Sequence, residues 1–414
     1  MILNIKKIFY FPFAYYFFIF AKIQLLIWKP KVICITGSSG KTTLLHLIES
    51  QISDAHFSHH ANSAYGIPFD ILGIKRSTFS IFEWPKIIIT APFRAFKKPY
   101  KENLYVVEAD CDRSGEGYFL SKLLKPSITL WLSSDTTHTM NFENKKNINV
   151  KKLVAYEYGF FIENTKDIIF VNADSQLIEN ELYRTKTPIK KIKMQSLLEF
   201  EVKEKSVSFK TLDTTYNIPC LVPRESFYSI EMTSELLKTL GKTIDKNFLK
   251  FTLPPGRSSL FRGIKNTKIL DSSYNSSTIS LSSMFELFNL YKTGNKWIII
   301  GDILDLGKKD KEEHEKVALM INKYNFEKVI LVGPRTQKYT YPLLKNKDNA
   351  KTYLEPLDTL KFIKQNIEGD EILLFKGARF LEGIIEHLLE ERSDIRLLCR
   401  REKVWQKRRE KWGL

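Results

Sequence analysis

Val32-Ile33-Cys34-Ile35-Thr36-Gly37-Ser38-Ser39-Gly40-Lys41-Thr42-Thr43 is the stretch on which the fold turns. Its apolar start predicts a buried strand, and glycines at 37 and 40 predict a turn where main chain comes close to a bound group. Lys41 and the two threonines then open an amphipathic run over 44–52 that reads as a helix. A strand, a glycine turn and a lysine at a helix start surround phosphates with main-chain amides and the positive helix end. The N–H groups of Gly37, Ser38, Ser39, Gly40 and Lys41 are therefore expected to wrap the phosphates of ATP, with Thr43 just inside the helix. Lys41 is expected to reach the β- and γ-phosphates and the Thr42 hydroxyl to ligate Mg²⁺. Ile35 stands where G-x-x-x-x-G-K-[ST] has its first glycine, so the loop has the shorter form T-G-x-x-G-K-T.

The 414 residues suffice for two or three domains, and 43% hydrophobic with 27% charged residues is ordinary globular composition. A formal charge of +17 favours anionic partners such as nucleotides, sugar phosphates or an acidic membrane surface. Nucleic acid would suit the charge too, but no recognisable binding module is present, so none is expected. Cys34, Cys111, Cys220 and Cys399 form no C-x-x-C pair, which argues against a zinc site or a disulfide framework and fits a reducing cytoplasm.

Residues 8–21 are unbroken apolar and aromatic, and Lys22 and Gln24 interrupt before Leu25-Leu26-Ile27-Trp28. As a helix, 8–21 reaches about 21 Å, short of the ~30 Å hydrocarbon core. No small-residue cleavage site precedes the phosphate loop, so a signal peptide is not expected. Two placements fit residues 8–28: a helix packed on the body, which is favoured, or an in-plane anchor on the inner face of the membrane. The tail over 396–414 interleaves Arg and Lys with Trp405 and Trp412; it reads as a solvated basic helix that would also suit an anchor.

Beyond the loop, strands and helices alternate, the mark of a parallel sheet with crossover helices. Strands are expected over 104–108, 128–132 and 168–172, a small antiparallel element over 200–222 and a helix over 226–240. Leu253-Pro254-Pro255-Gly256-Arg257 reads as a linker. A second α/β unit follows, with strands over 268–271, 297–301, 329–333 and 371–375. The expected architecture is α/β: a P-loop ATPase domain over 31–255 and a Rossmann-like domain over 256–395, after an apolar helix over 1–30. Ligands in such sheets bind beyond the carboxyl ends of the strands, where Asp271, Asp302 and Lys376 fall. Glu108 and His138 follow strands that should flank the loop, and are expected to hold Mg²⁺. Arg257 is positioned to bring a cation over the γ-phosphate.

Together these pieces resemble the Mur ligases, which build the peptidoglycan stem peptide, and the resemblance runs from about residue 31 to 390. Ile35–Thr43 looks like the family's ATP loop, 65–73 like its following segment, Val107-Glu108-Ala109-Asp110 like its magnesium-binding glutamate strand, Thr137-His138 like its metal histidine and Pro255-Gly256-Arg257 like its linker arginine. Asp271-Ser272-Ser273-Tyr274-Asn275 resembles the segment that contacts nucleotide and substrate. Gly301-Asp302-Ile303-Leu304-Asp305-Leu306-Gly307, with His314, and Phe375-Lys376-Gly377-Ala378-Arg379 resemble the dipeptide-adding type. The resemblance implies an ATP-dependent acid–amino-acid ligase joining D-Ala-D-Ala to a muramoyl tripeptide. It also implies nucleotide contacts from Asp271 and Asn275, and substrate contacts from Tyr274, Asp302, Asp305, Lys376 and Arg379. Lys41, Arg257 and His138 would be its catalytic residues.

The chain departs from the family in four places. Tyr158 stands where the family carries a carbamylated lysine; a phenol cannot be carbamylated, so a second metal must be held by another group or be lost. Pro223-Arg224-Glu225-Ser226-Phe227-Tyr228-Ser229 replaces G-R-H-N-x-x-N, removing asparagines that cradle adenine. Ser272 and Thr278 replace an aspartate and a proline. Only some thirty residues precede the loop, so the family's UDP-gripping domain is expected to be absent. Alternative readings are a ligase for another acid and amine, or a degenerate nucleotide-binding partner protein.

Overall fold

A strand covered on both faces reads as an unbroken apolar run. The computed structural model puts the run over 32–35 at the centre of such a sheet; it describes residues 10–59, 61–76, 81–97, 100–134, 142, 150–292, 294–378 and 380–414. The chain divides into two compact units: residues 1–196 with 228–244, and 197–227 with 245–414.

In the first unit, helix α1 (Tyr10–Trp28) precedes β1 (Lys31–Thr36), α2 (Lys41–Glu49), β2 (Ala55–Ser58), α3 (Gly66–Ile71) and α4 (Trp84–Ala95). Then come β3 (Leu104–Ala109), α5 (Glu116–Leu124), β4 (Ile128–Trp131), α6 (Val150–Glu163), β5 (Ile168–Asn172) and β6 (Ile189–Ile192). The strands form one parallel sheet in the order β2-β3-β1-β4-β5-β6. Alternation along β1 sends Val32 and Cys34 into the core beneath α1, and Ile33 and Ile35 into the core with Leu44, Leu45 and Ile48 of α2. Thr36 is level with both Ala109 and Trp131, so the loops leaving β1, β3 and β4 emerge side by side.

Helix α1 runs unbroken through Lys22 and Gln24, which interrupt only the apolar run. Gln24 is buried, and Lys22 Nζ turns along the surface to donate to the Leu123 carbonyl at 2.8 Å. Ala14, Phe17, Ala21 and Trp28 face the body. Burying a side chain such as Phe17 contributes about 2–3 kcal/mol. One face of the helix therefore packs on the body.

In the second unit, β7 (Glu199–Val202), β8 (Val207–Lys210) and β9 (Thr215–Ile218) form the expected antiparallel element; α7 (Ser226–Thr239) follows and, from Tyr228 on, belongs to the first unit. Residues 197–227 group with the C-terminal unit, although the sequence boundary falls at 255. A second six-stranded sheet has the order β10-β11-β15-β12-β13-β14. Its strands are β10 (Ser259–Arg262), β11 (Lys268–Ser272), β12 (Asn295–Gly301), β13 (Lys328–Val332), β14 (Ala350–Tyr353) and β15 (Glu371–Lys376). All pairings are parallel except β10 with β11. Ser272 and Ile300 both stand level with Lys376, so the carboxyl ends of β11, β15 and β12 are neighbours. Gly377, with φ 123°, follows β15; a Cβ there would lie 2.6 Å from the Gly301 carbonyl oxygen, so these two loop ends touch only as glycines.

The basic tail is not a free solvated helix. Arg409 is buried, and Arg400 and Arg401 reach Glu382 and Glu386 at 3.2 and 2.5 Å. Several of its cations thus serve the unit's own carboxylates, which the charge count alone did not reveal.

Candidate active site

The loop between β1 and α2 takes the expected turn. Gly40 caps the helix with φ 84°, and Gly37, at φ 132°, has no room for a Cβ, which would stand 2.8 Å from the Ser133 nitrogen and oxygen. Two of the amides expected to wrap phosphate have another task. Ser38 N–H donates to the Ser133 carbonyl at 3.1 Å, and Ser39 N–H to Ser133 Oγ at 2.9 Å, tying the phosphate loop to the loop after β4. The cradle therefore narrows to the amides that open α2, which helix geometry aims outward at its positive end.

Lys41 is buried and holds two partners: its Nζ donates to the Gly37 carbonyl at 2.6 Å and stands 2.8 Å from Asp110 Oδ2. The other Asp110 oxygen accepts from the Tyr158 hydroxyl at 2.8 Å and the Cys111 amide at 2.9 Å. Burial alone would raise the Asp110 carboxyl; the Lys41 ammonium and these donors outweigh it and hold it below the usual carboxylate range. The residue in the family lysine's place is thus a neutral donor that orients a carboxylate. The motif itself suggests no role for Asp110, although its position two residues beyond Glu108 sets both on one side of the β3 end.

Glu108 is buried beside the loop, and its Oε2 accepts from Thr42 Oγ1 at 3.2 Å. A carboxylate and a hydroxyl this close are the hard oxygen pair that Mg²⁺ takes, so these residues fit the ion. His138 lies outside the described residues. Two carboxylates unforeseen from sequence brace the loop after β3. Glu116 accepts from the Ala64 and Asp112 amides at 2.9 and 3.1 Å, and Glu157 from the Gly115 and Gly117 amides at 2.7 and 3.0 Å.

In the second unit, Asp271, Tyr274, Asn275, Lys376 and Arg257 come together at the strand ends. Asp271 is fully buried; one oxygen accepts from the Ser273 amide at 2.9 Å, while Oδ2 has no hydrogen-bond partner among the described residues. Burial pushes its carboxyl up to about 6 against the pull of Ser273. Lys376 Nζ donates to the Asn275 carbonyl at 2.7 Å; burial first, then the charge of Arg257, pushes its ammonium down to about 7. An anion arriving there would restore that charge. The Arg257 guanidinium lies 4.9 Å from the centre of the half-exposed Tyr274 ring.

Asp302, which the resemblance assigns to substrate, also holds main chain. It is fully buried, and its Oδ1 accepts from the Arg335 and Thr336 amides at 3.1 and 2.9 Å, fixing the loop after β13. His314 is likewise buried, taking the Ile303 amide on Nε2 at 3.1 Å, which shapes the 303–307 turn. Asp305 sits exposed on that turn at φ 61°. Arg379 lies outside the described residues.

The chain is similar to known proteins in sequence and in fold. The Mur ligase middle domain matches residues 35–237. The chain is 26% identical to the UDP-N-acetylmuramoyl-tripeptide–D-alanyl-D-alanine ligase of Rickettsia prowazekii (strain Madrid E) over 369 residues, 85% of this chain and 76% of that protein. It is 23% identical to the Bacillus subtilis (strain 168) protein of the same name over 385 residues, covering 89% and 78%. Among solved structures, the MurF ligase of Thermotoga maritima in complex with ADP is similar in fold, with a TM-score of 0.73 at 20% identity over 90% of this chain and 83% of that one.

Proposed function

This chain belongs to the Mur ligase family, and on that premise we propose that it is an ATP-dependent ligase of peptidoglycan-precursor synthesis, joining D-Ala-D-Ala to the carboxylate of a muramoyl tripeptide. One observation carries the reading: a glycine-turned loop sets Lys41 and the Thr42–Glu108 oxygen pair together at the head of a parallel sheet.

The reaction needs no protein nucleophile. A carboxylate oxygen of the acceptor attacks the γ-phosphorus, the bond to the β–γ bridging oxygen breaks, and ADP leaves an acyl phosphate. The dipeptide amine then attacks the acyl carbon, phosphate departs with the carboxyl oxygen that joined it, and the amine loses its proton. Two anions must be held in line and the developing charge neutralised. Lys41 supplies a cation to the phosphates by leaving Asp110, and Tyr158 keeps that carboxylate in place meanwhile. Glu108 and Thr42, with His138, would hold Mg²⁺, which would supply further positive charge to the phosphates. Arg257 is assigned to the γ-phosphate, Asp271 and Asn275 to the nucleotide, and Tyr274, Asp305, Lys376 and Arg379 to substrate. The free cysteines suit a cytoplasmic enzyme.

Incubating the full chain with ATP, Mg²⁺, muramoyl tripeptide and D-Ala-D-Ala is expected to yield ADP and a pentapeptide product by mass spectrometry. ADP release should require an acceptor with a free carboxylate. ATP consumption that ignores both substrates would refute the reading.

A further inference from the structure

We propose that the outward faces of α1 and α4 form one docking surface for an anionic phospholipid bilayer, with both helices lying in the plane of the interface. The inference stands apart from the ligase reading.

A helix that covers a soluble body turns polar residues outward. Helix α1 does the opposite. With Ala14, Phe17, Ala21 and Trp28 turned inward, the outward side presents Phe13, Tyr15, Ile19, Leu26 and Ile27, each 41% to 64% exposed. Helix α4 repeats the pattern: Ile87, Ala91 and Ala95 face in, while Ile89, Phe93 and Phe96, spaced four and three residues apart, are 65%, 71% and 68% exposed. The two helices meet lengthwise, where the Tyr16 hydroxyl donates to the Ile88 carbonyl at 2.8 Å and the Phe13 and Trp84 rings stand 5.6 Å apart. Their apolar strips therefore join across this seam, and such contiguous exposure marks an interaction site.

The chemistry beside the patch names the occupant. Lys86, Arg94 and Lys97 are exposed along the apolar strip of α4, and Ile89, Phe93, Arg94 and Lys97 line a shallow groove. Aromatic rings at the edge of an apolar face with cations next to it suit the boundary between acyl chains and anionic headgroups. A second copy would bring the same cations against one another, which disfavours it as the partner. The helix does not cross the bilayer in this arrangement. The Trp28 indole donates to the Glu102 carbonyl at 2.7 Å and Lys22 to Leu123 at 2.8 Å, fastening α1 along the body.

The test floats the full chain with phosphatidylcholine vesicles made with and without phosphatidylglycerol. The wild type should float with the anionic vesicles and more weakly with the neutral ones. The double variant Ile89→Asp/Phe93→Asp should lower that binding by about tenfold or more. Both side chains are more than three-fifths exposed, so its circular dichroism and melting should match the wild type. A tryptophan introduced by Phe93→Trp should be quenched by brominated acyl chains. Failure of the wild type to bind anionic vesicles, or undiminished binding by the double variant, would overturn the proposal. So would light scattering that shows a dimer broken by the double variant, since the face would then serve a second copy.

Discussion

Lys41→Ala is expected to lower turnover by about a thousandfold or more, because the ammonium that neutralises the phosphates is lost and nothing else in the loop carries that charge. The same substitution should also destabilise the fold. Lys41 stands 2.8 Å from Asp110 Oδ2, in a pair whose side chains are only 8% and 14% exposed. Removing one partner of such a pair costs ~3 kcal/mol. Urea unfolding should show this loss, and Lys41→Ala/Asp110→Asn should recover most of it while turnover stays absent. The pH dependence has a definite sign. In the wild type the Asp110 carboxyl is held below its unfolded value, so the pair's stability is present at neutral pH and disappears as pH falls through the folded value. The gap between wild type and Lys41→Ala should therefore be widest near neutrality and close in acid. Equal stability of the two proteins at neutral pH would show that Asp110 has no hold on the lysine.

Glu108→Gln should lower kcat by about a hundredfold or more while leaving the fold unchanged. The amide oxygen can still accept from Thr42 Oγ1, which the carboxylate does at 3.2 Å, but the negative charge that attracts a divalent cation is gone. Activity should then need more Mg²⁺, whereas the affinity for ADP in a metal chelator should not change. A variant with normal Mg²⁺ dependence would remove Glu108 from the metal site.

The sequence revealed most where one residue type has one physical reason. The run over 32–35 could only be a doubly covered strand, and Gly37 and Gly40 could only be a turn with left-handed or crowded backbone. Strands over 168–172 and 297–301, and the helix from 226, followed from apolar runs of the right length. The short edge strands β10 and β14 were not anticipated, because their mixed exposure leaves no apolar run to read. The glycine turn and the position of Glu108 beside it were legible, whereas the partnerships of the side chains around them were not. Asp302 has the composition of a ligand-facing carboxylate, and only the fold shows two main-chain amides consuming one of its oxygens. Tyr158 looked like a loss when judged against a lysine. Its bond to Asp110 becomes visible only when α6 is laid beside the end of β3. Helix α1 shows the same limit: its composition admits both packing and membrane contact, and only the structure shows which of its side chains turn inward and which stay exposed.

Carboxyl activation at the loop gripped by Lys41 can be followed by one isotope. With ¹⁸O in the acceptor carboxylate, turnover with ATP and D-Ala-D-Ala should deliver one labelled oxygen to the released phosphate, because that oxygen bridges carbon and phosphorus in the acyl phosphate. Released phosphate carrying no label while the dipeptide product accumulates would mean that the carboxylate never attacks the nucleotide.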